Sequence, residues 1–338
     1  MTTPARRGSW FVNLLRERSV QVAILIWVAC SAAIFPLSQG KLPFNRPALA
    51  GVADRLQIYI AIFGWFYALI FMGVTYRLTR KRAIPDMSSR APNVLMSLRE
   101  TLGLWIYGAV VMAVGQIAGR RMFGEGIGLH LNGSLFGMTR MVMPSEVWIW
   151  AAFNFVLLAL VPYLVFRARG YSREALNLKS SNLRNDTLVI VVVLAMETAF
   201  EMVGNKILTL TGHQILVGGA LSFVVHLLGT GLPVMIFIYA ILMPRYMRMT
   251  RSVAATTLLG AVSYAAVHLF EYWTVYDSLP HSALSVIFIL LTFVNPGLVK
   301  SYLTVRTGNA WVHLWGFHAI APHVTSDTPM IVDIFGIK

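Results

Sequence analysis

The chain has 338 residues, of which 57% are hydrophobic and only 12% charged, with a mean hydropathy of +0.66; these values exclude a water-soluble globule and describe an integral membrane protein. The formal net charge of +14 points to anionic lipid headgroups as partners and not to nucleic acid, because no nucleic-acid module stands among the loops. A single cysteine, Cys30, excludes an internal disulfide and a cysteine-rich metal site.

Crossing the ~30 Å of bilayer hydrocarbon takes about 20 helical residues. Apolar runs of that order recur at 20–38, 56–76, 102–119, 147–166, 187–204, 215–243, 253–273, 283–303 and 309–322. They predict an all-α polytopic protein with about nine transmembrane helices, the last one short. The basic N-terminal segment MTTPARRGSWFVNLLRER precedes the first run, and the length of both favours an uncleaved span over a signal peptide. GEGIGLHLNG, residues 124–133, has no Lys after its glycines and reads as a loop, not a phosphate cradle. Asn132 and Asn185 each head a glycosylation-type triplet, a pattern too short to carry weight.

The run 215–243 contains Gly229, Gly231 and Pro233 and fits either one kinked helix or a helical hairpin. Loop charge decides for one helix. With a cytoplasmic N-terminus and nine single crossings, most of the 28 lysines and arginines fall on inside segments, and the C-terminus lies outside. A hairpin would put the basic PRYMRMTR segment on the wrong face.

Ionisable groups divide the chain softly at Asp186. Residues 1–185 form an N-terminal four-helix transmembrane region, and residues 186–338 hold Glu197, Glu201, His226, His268, Glu271, His313 and His318 at membrane depth. Such groups are costly in lipid and face a protein interior, so the working part is expected there. Glu197 and Glu201 are four apart and share a helical face, as a carboxylate pair or as interfacial anchors near Lys206. His268 and Glu271 are three apart, a spacing that suits metal ligation or a histidine–carboxylate bond. The Tyr-Trp that follows makes Glu271 look interfacial and leaves His268 as the functional member. His313, His318 and His323 are spaced by five, about 140° around an α-helix, so one of them is expected to serve a site. His226 reads as a helix–helix hydrogen bond first and a site residue second.

The order of these segments resembles the CPBP family, the intramembrane proteases related to CAAX prenyl endopeptidases and to bacteriocin-immunity Abi proteins. RTGNAWVHLWGFHA looks like its third motif, a Thr-Gly-Asn turn leading into a short histidine-bearing helix, here with His318. TTLLGAVSYAAVHLF is similar to its second motif, an aromatic residue three positions before a histidine, which gives Tyr264 and His268. The resemblance covers about a third of the chain, residues 215–323. In the register that keeps the spacing, the paired glutamates of the first motif become Val234 and Met235, and its arginine becomes Tyr239. Another register uses METAF, with Glu197 as the acid and Glu201 in place of the arginine. Pro322 replaces an asparagine of the third motif.

The resemblance implies a CPBP-like helical core within 186–338 and residence in a bacterial cell membrane. It also implies a hydrolytic site at Glu197, Glu201, His268 and His318, altered by the loss of the paired glutamates. Two readings stay open. One is an intramembrane endopeptidase in which Glu197 or Glu201 activates water and His268 and His318 stabilise the oxyanion, or in which a divalent metal such as zinc is held by those histidines and a glutamate. The other is a scaffold or immunity-type protein that binds another membrane protein, a peptide or a lipid-linked ligand. A transporter is the weaker third reading, since no pair of broken helices suggests an inverted repeat.

Overall fold

The computed structural model describes residues 15–46, 49, 51–123, 143–202, 206–271 and 273–338. The segment 124–133, Asn132 and most of the basic N-terminal segment lie outside them. Every regular element among the described residues is helical. Six helices are long and apolar enough to cross a bilayer: α1 Arg18–Ser38, α2 Asp54–Thr79, α3 Val94–Phe123, α4 Pro144–Ala168, α6 Gly212–Thr250 and α8 Leu279–Thr307. The protein is therefore a helical membrane protein. The other three expected runs are different in kind. Residues 187–204 fall on α5, Leu183–Glu201, which carries four ionisable residues from Arg184 to Glu201. Residues 253–273 fall on α7, Val253–Ala266, which stops short. Residues 309–322 belong to a broken helix described below.

α6 runs unbroken through the predicted kink, so 215–243 is one helix and not a hairpin. Its backbone changes register instead, becoming π-helical over Leu227–Gly231 and Met235–Leu242. Pro233 and Pro244 sit beside these stretches. A proline offers no N–H to the carbonyl four residues earlier and crowds it, and the wider π turn relieves both problems. α4 does the same over Phe155–Leu160, just ahead of Pro162.

α1 shows Val22, Leu25, Ile26 and Val28 to its surroundings, whereas residues 234–243 of α6 are all buried. The centre of the molecule is thus α6, with α8 beside it. A single apolar cluster joins Ile34 and Ile58 to Tyr239, Phe288, Val305 and Leu314, so the segments before and after Asp186 share one core. α7 packs backbone to backbone against α8, where a Cβ on Gly297 would stand 2.8 Å from the Ala261 backbone. Gly297→Val should therefore cost about 1–3 kcal/mol through overpacking, read as a lower thermal midpoint in detergent. An unchanged midpoint would mean the two backbones do not meet at this pair.

One end of the bundle is tied by buried polar groups around the turn Thr307-Gly308-Asn309. Gly308 closes α8 at φ 62°, a left-handed conformation, and a side chain there would strike Pro85. Arg90 donates to the Gly308 carbonyl and to Asn177 Oδ1, both at 2.7 Å. Asn177 in turn accepts from the Ala310 amide at 2.7 Å and donates to the Tyr239 carbonyl at 2.9 Å. Asp186 pairs with Arg82 at 2.6 Å and accepts from Ser180 at 2.6 Å and Asn309 at 2.9 Å. These bonds fix where the next segment, with its three histidines, enters the core.

Candidate functional site

That segment starts as α9, Ala310–His313, capped by the Asn309 side chain, and passes at once into a π turn, Leu314–His318. A second π turn, Ala321–Ser326, follows and carries Pro322; α10, Thr328–Phe335, ends the segment. The π register answers the spacing problem posed by the sequence. Five residues are out of phase in an α-helix but in phase where hydrogen bonds run from i to i+5. His313, His318 and His323 accordingly form a column, with ring centroids 6.1 Å and 5.3 Å apart. All three are buried. One of the three was expected to serve a site; the change of helix type instead buries all three in one column.

Helices α5 and α6 hold the column from two sides. α5 runs parallel to it, since Asp186 bonds Asn309, Ile190 lies against Gly316, and Glu201 accepts from the Ser326 hydroxyl at 2.5 Å. α6 runs antiparallel: Gln214 bonds the Ile337 carbonyl at 3.0 Å, and the Ser222 hydroxyl donates to the His323 carbonyl at 2.5 Å. α6 also supplies two rings, Tyr239 over His313 at 4.0 Å and His226 stacked on His323 at 4.5 Å.

His268 occupies the other flank, just past α7. It is fully buried, stacked on Phe293 at 3.7 Å and edge-on to Tyr264 at 4.8 Å. Its Nδ1 is bonded to Glu271, whose second oxygen accepts from the Trp273 indole. A carboxylate only accepts, so Nδ1 carries the proton and Nε2 keeps its lone pair. Glu271 is thus an internal partner and not the interfacial anchor expected from its neighbours. Tyr264 links this flank to the column, its ring 6.0 Å from that of His318. Lys300 Nζ lies over the Tyr264 ring, 3.7 Å from its centre. Lys300 is buried inside α8.

Of the residues singled out in the sequence, His268 and His318 each set their ring edge-on to Tyr264, at 4.8 Å and 6.0 Å. Glu197 accepts from the Tyr67 hydroxyl, and Glu201 is bonded to Ser326. Neither glutamate is hydrogen-bonded to His318, because both nitrogens of that ring are buried with no hydrogen-bond partner among the described residues. The Nε2 atoms of His268, His313 and His323 and the Tyr239 hydroxyl are in the same condition. Val234 and Met235 are fully buried in α6 and offer no acid. Among the described residues, the donors that can hold a metal together, within 4.8 Å of one another, are those of His226, His323 and Asp327; His268 and His318 are not part of that group.

Sequence reasoning missed Lys300, Tyr239, Asp327 and the inward role of Glu271. Asp327 had a readable signal, standing four residues after His323 as a helical neighbour would. Lys300 had one too, as a lone cation within an apolar run whose partners must be internal.

The class that fold and site define is a polytopic α-helical membrane protein with a histidine-rich polar interior. No family model matches the sequence, and no curated protein or solved structure matches it.

Proposed function

We propose that the protein is a divergent CPBP-type membrane protein that hydrolyses a peptide bond within the bilayer, with His268 as the base. The observation that carries this reading is the Glu271–His268 pair, a buried imidazole oriented by a carboxylate with its Nε2 lone pair left unengaged. The same division of labour makes histidine a base in hydrolases that have no acid at the attacking water. Glu271 would then supply the carboxylate absent at Val234 and Met235, acting through the ring instead of directly on water. His268 Nε2 takes a proton from water as its oxygen attacks the carbonyl carbon. The oxyanion is met by Lys300 and a His318 N–H, and the proton passes to the leaving nitrogen as the C–N bond breaks. Glu201 braces the column through Ser326. Nine crossings, with the N-terminus inside and the C-terminus outside a bacterial cell membrane, complete the reading. It is supported by the polar ties of Arg82, Arg90 and Asp186 gathering at the end where basic loops are expected.

A scaffold that binds a membrane protein or lipid-linked ligand is the second reading, favoured by the apolar side chains of Val234 and Met235 at the positions of the paired glutamates. The two separate in one comparison. Membranes from cells making the intact chain or His268→Ala are analysed by enrichment of new protein N-termini. Hydrolysis predicts termini that the variant loses, with rates reduced about 10²–10⁴-fold, and Glu271→Gln reduces them less than His268→Ala does. Identical sets of termini from intact and variant membranes would leave only the scaffold.

A further inference from the structure

A second polar centre lies at the outer end of the histidine column, on groups that the hydrolytic reading does not use. The rings of His226 of α6 and His323 are stacked nearly parallel, with centroids 4.5 Å apart and a tilt of 8°. Both point at one carboxylate oxygen: Asp327 Oδ2 is 3.1 Å from His226 Nε2 and 2.8 Å from His323 Nδ1. All three side chains are at least nine-tenths buried.

The tautomer of His226 is fixed by its other nitrogen. Nδ1 lies 2.8 Å from the Ser222 carbonyl, which can only accept, so Nδ1 carries the hydrogen. Nε2 of the neutral ring therefore turns a lone pair toward the Asp327 carboxylate, 3.1 Å away. Two electron-rich atoms held face to face in a protein interior require a cation between them, either a proton or a metal. A ring whose far N–H is tied to a backbone carbonyl while its near nitrogen faces a carboxylate and a second imidazole has the usual arrangement of a metal ligand. His318 lies next in line, its ring 5.3 Å from that of His323 and both nitrogens unpartnered and buried.

We propose that His226 Nε2, His323 Nδ1 and the Asp327 carboxylate bind a divalent transition-metal ion of the zinc class, with the fourth position open toward His318. Two imidazoles, one carboxylate and a free position suit zinc, whose bonds to such ligands are about 2.0–2.2 Å. A small rotation of Asp327 makes room for the ion between atoms now in direct contact. The Ser222 carbonyl orients the His226 ring, and the Ser222 hydroxyl holds the backbone of His323. The metal clamps α6 to the segment before α10, whether or not His268 performs hydrolysis.

The test uses the full chain in lipid nanodiscs, purified with a tag that lacks histidine, stripped with chelator and reloaded with Zn²⁺ or Co²⁺. After desalting, metal per chain is measured by mass spectrometry, and the cobalt form is examined for visible d–d absorption. The expected result is about one metal per chain, retained by the surface control His281→Ala and weakened at least about tenfold in His226→Ala/His323→Ala. Asp327→Asn, which keeps the shape of the side chain, should weaken binding and shift the cobalt band even if the double variant fails to fold. Retention of no metal by the intact chain, or equal retention by Asp327→Asn with an unchanged band, would overturn the proposal and leave a proton as the cation. Loss of the new N-termini in the His268 experiment has no bearing on this outcome.

Discussion

Glu100→Ala should destabilise the protein by about 3–5 kcal/mol, the cost of stranding a buried charge. Arg245, the arginine of the Met-Pro-Arg segment in α6, is entirely buried and holds Glu100 of α3 through Nε at 2.8 Å and Nη2 at 2.7 Å. Its guanidinium packs against the rings of Phe166 and Tyr171, at 4.5 Å and 4.9 Å. With Glu100 gone, Arg245 keeps the Ile241 carbonyl at 2.6 Å as its remaining described acceptor. Arg245→Met should cost less than Glu100→Ala, since Glu100 would still bond Tyr171 at 2.8 Å and pair with Arg169 at 3.0 Å. Unfolding in mixed micelles, measured for both single variants and the double, gives the coupling energy. A coupling below about 1 kcal/mol would place the pair in water.

Asp186→Ala should be of similar size, about 3–5 kcal/mol, and should reach further. Asp186 binds Arg82, Ser180 and Asn309 together, and Arg82 also donates to the Thr307 carbonyl at 3.1 Å. The Thr307-Gly308-Asn309 turn thereby loses its anchor, and the histidine column that follows it shifts. Asp186→Asn retains two of the acceptor contacts and should fall between the variant and the intact chain. The unfolding midpoint reads the first effect, and hydrogen exchange of the amides in 310–326 reads the second. If exchange in 310–326 stays at the intact level while stability falls, the tie holds the bundle but does not position the column.

These two ties also show how far the sequence could be read. Loop charge separated a kinked helix from a hairpin at 215–243 because lysine and arginine distribution reports on which side a segment lies. Lys300 went unremarked in the sequence, because a loop-charge count has no access to the buried Tyr264 ring beneath its amine. Periodicity placed His313, His318 and His323 on different faces because it assumes 3.6 residues per turn. Pro322 marked the place where that assumption fails, but the length of a π turn is set by packing against α5 and α6. Glu271 looked interfacial beside Trp273, yet the same indole donates to it inside the protein.

By itself the sequence determined that this is a helical membrane protein framed by long apolar runs, although it counted about nine spans where six helices of the structure are long and apolar enough to cross. Those properties follow from composition and from local apolar length, which any segment carries without its neighbours. Only the tertiary structure decided that His268 answers to Glu271 while Glu197 answers to Tyr67, and that His226 meets His323 and Asp327 across about a hundred residues of chain. The reason is physical. A buried polar group is satisfied by whichever partner packing brings within about 3 Å, and that choice is made between helices, after each helix has already been specified by its own residues.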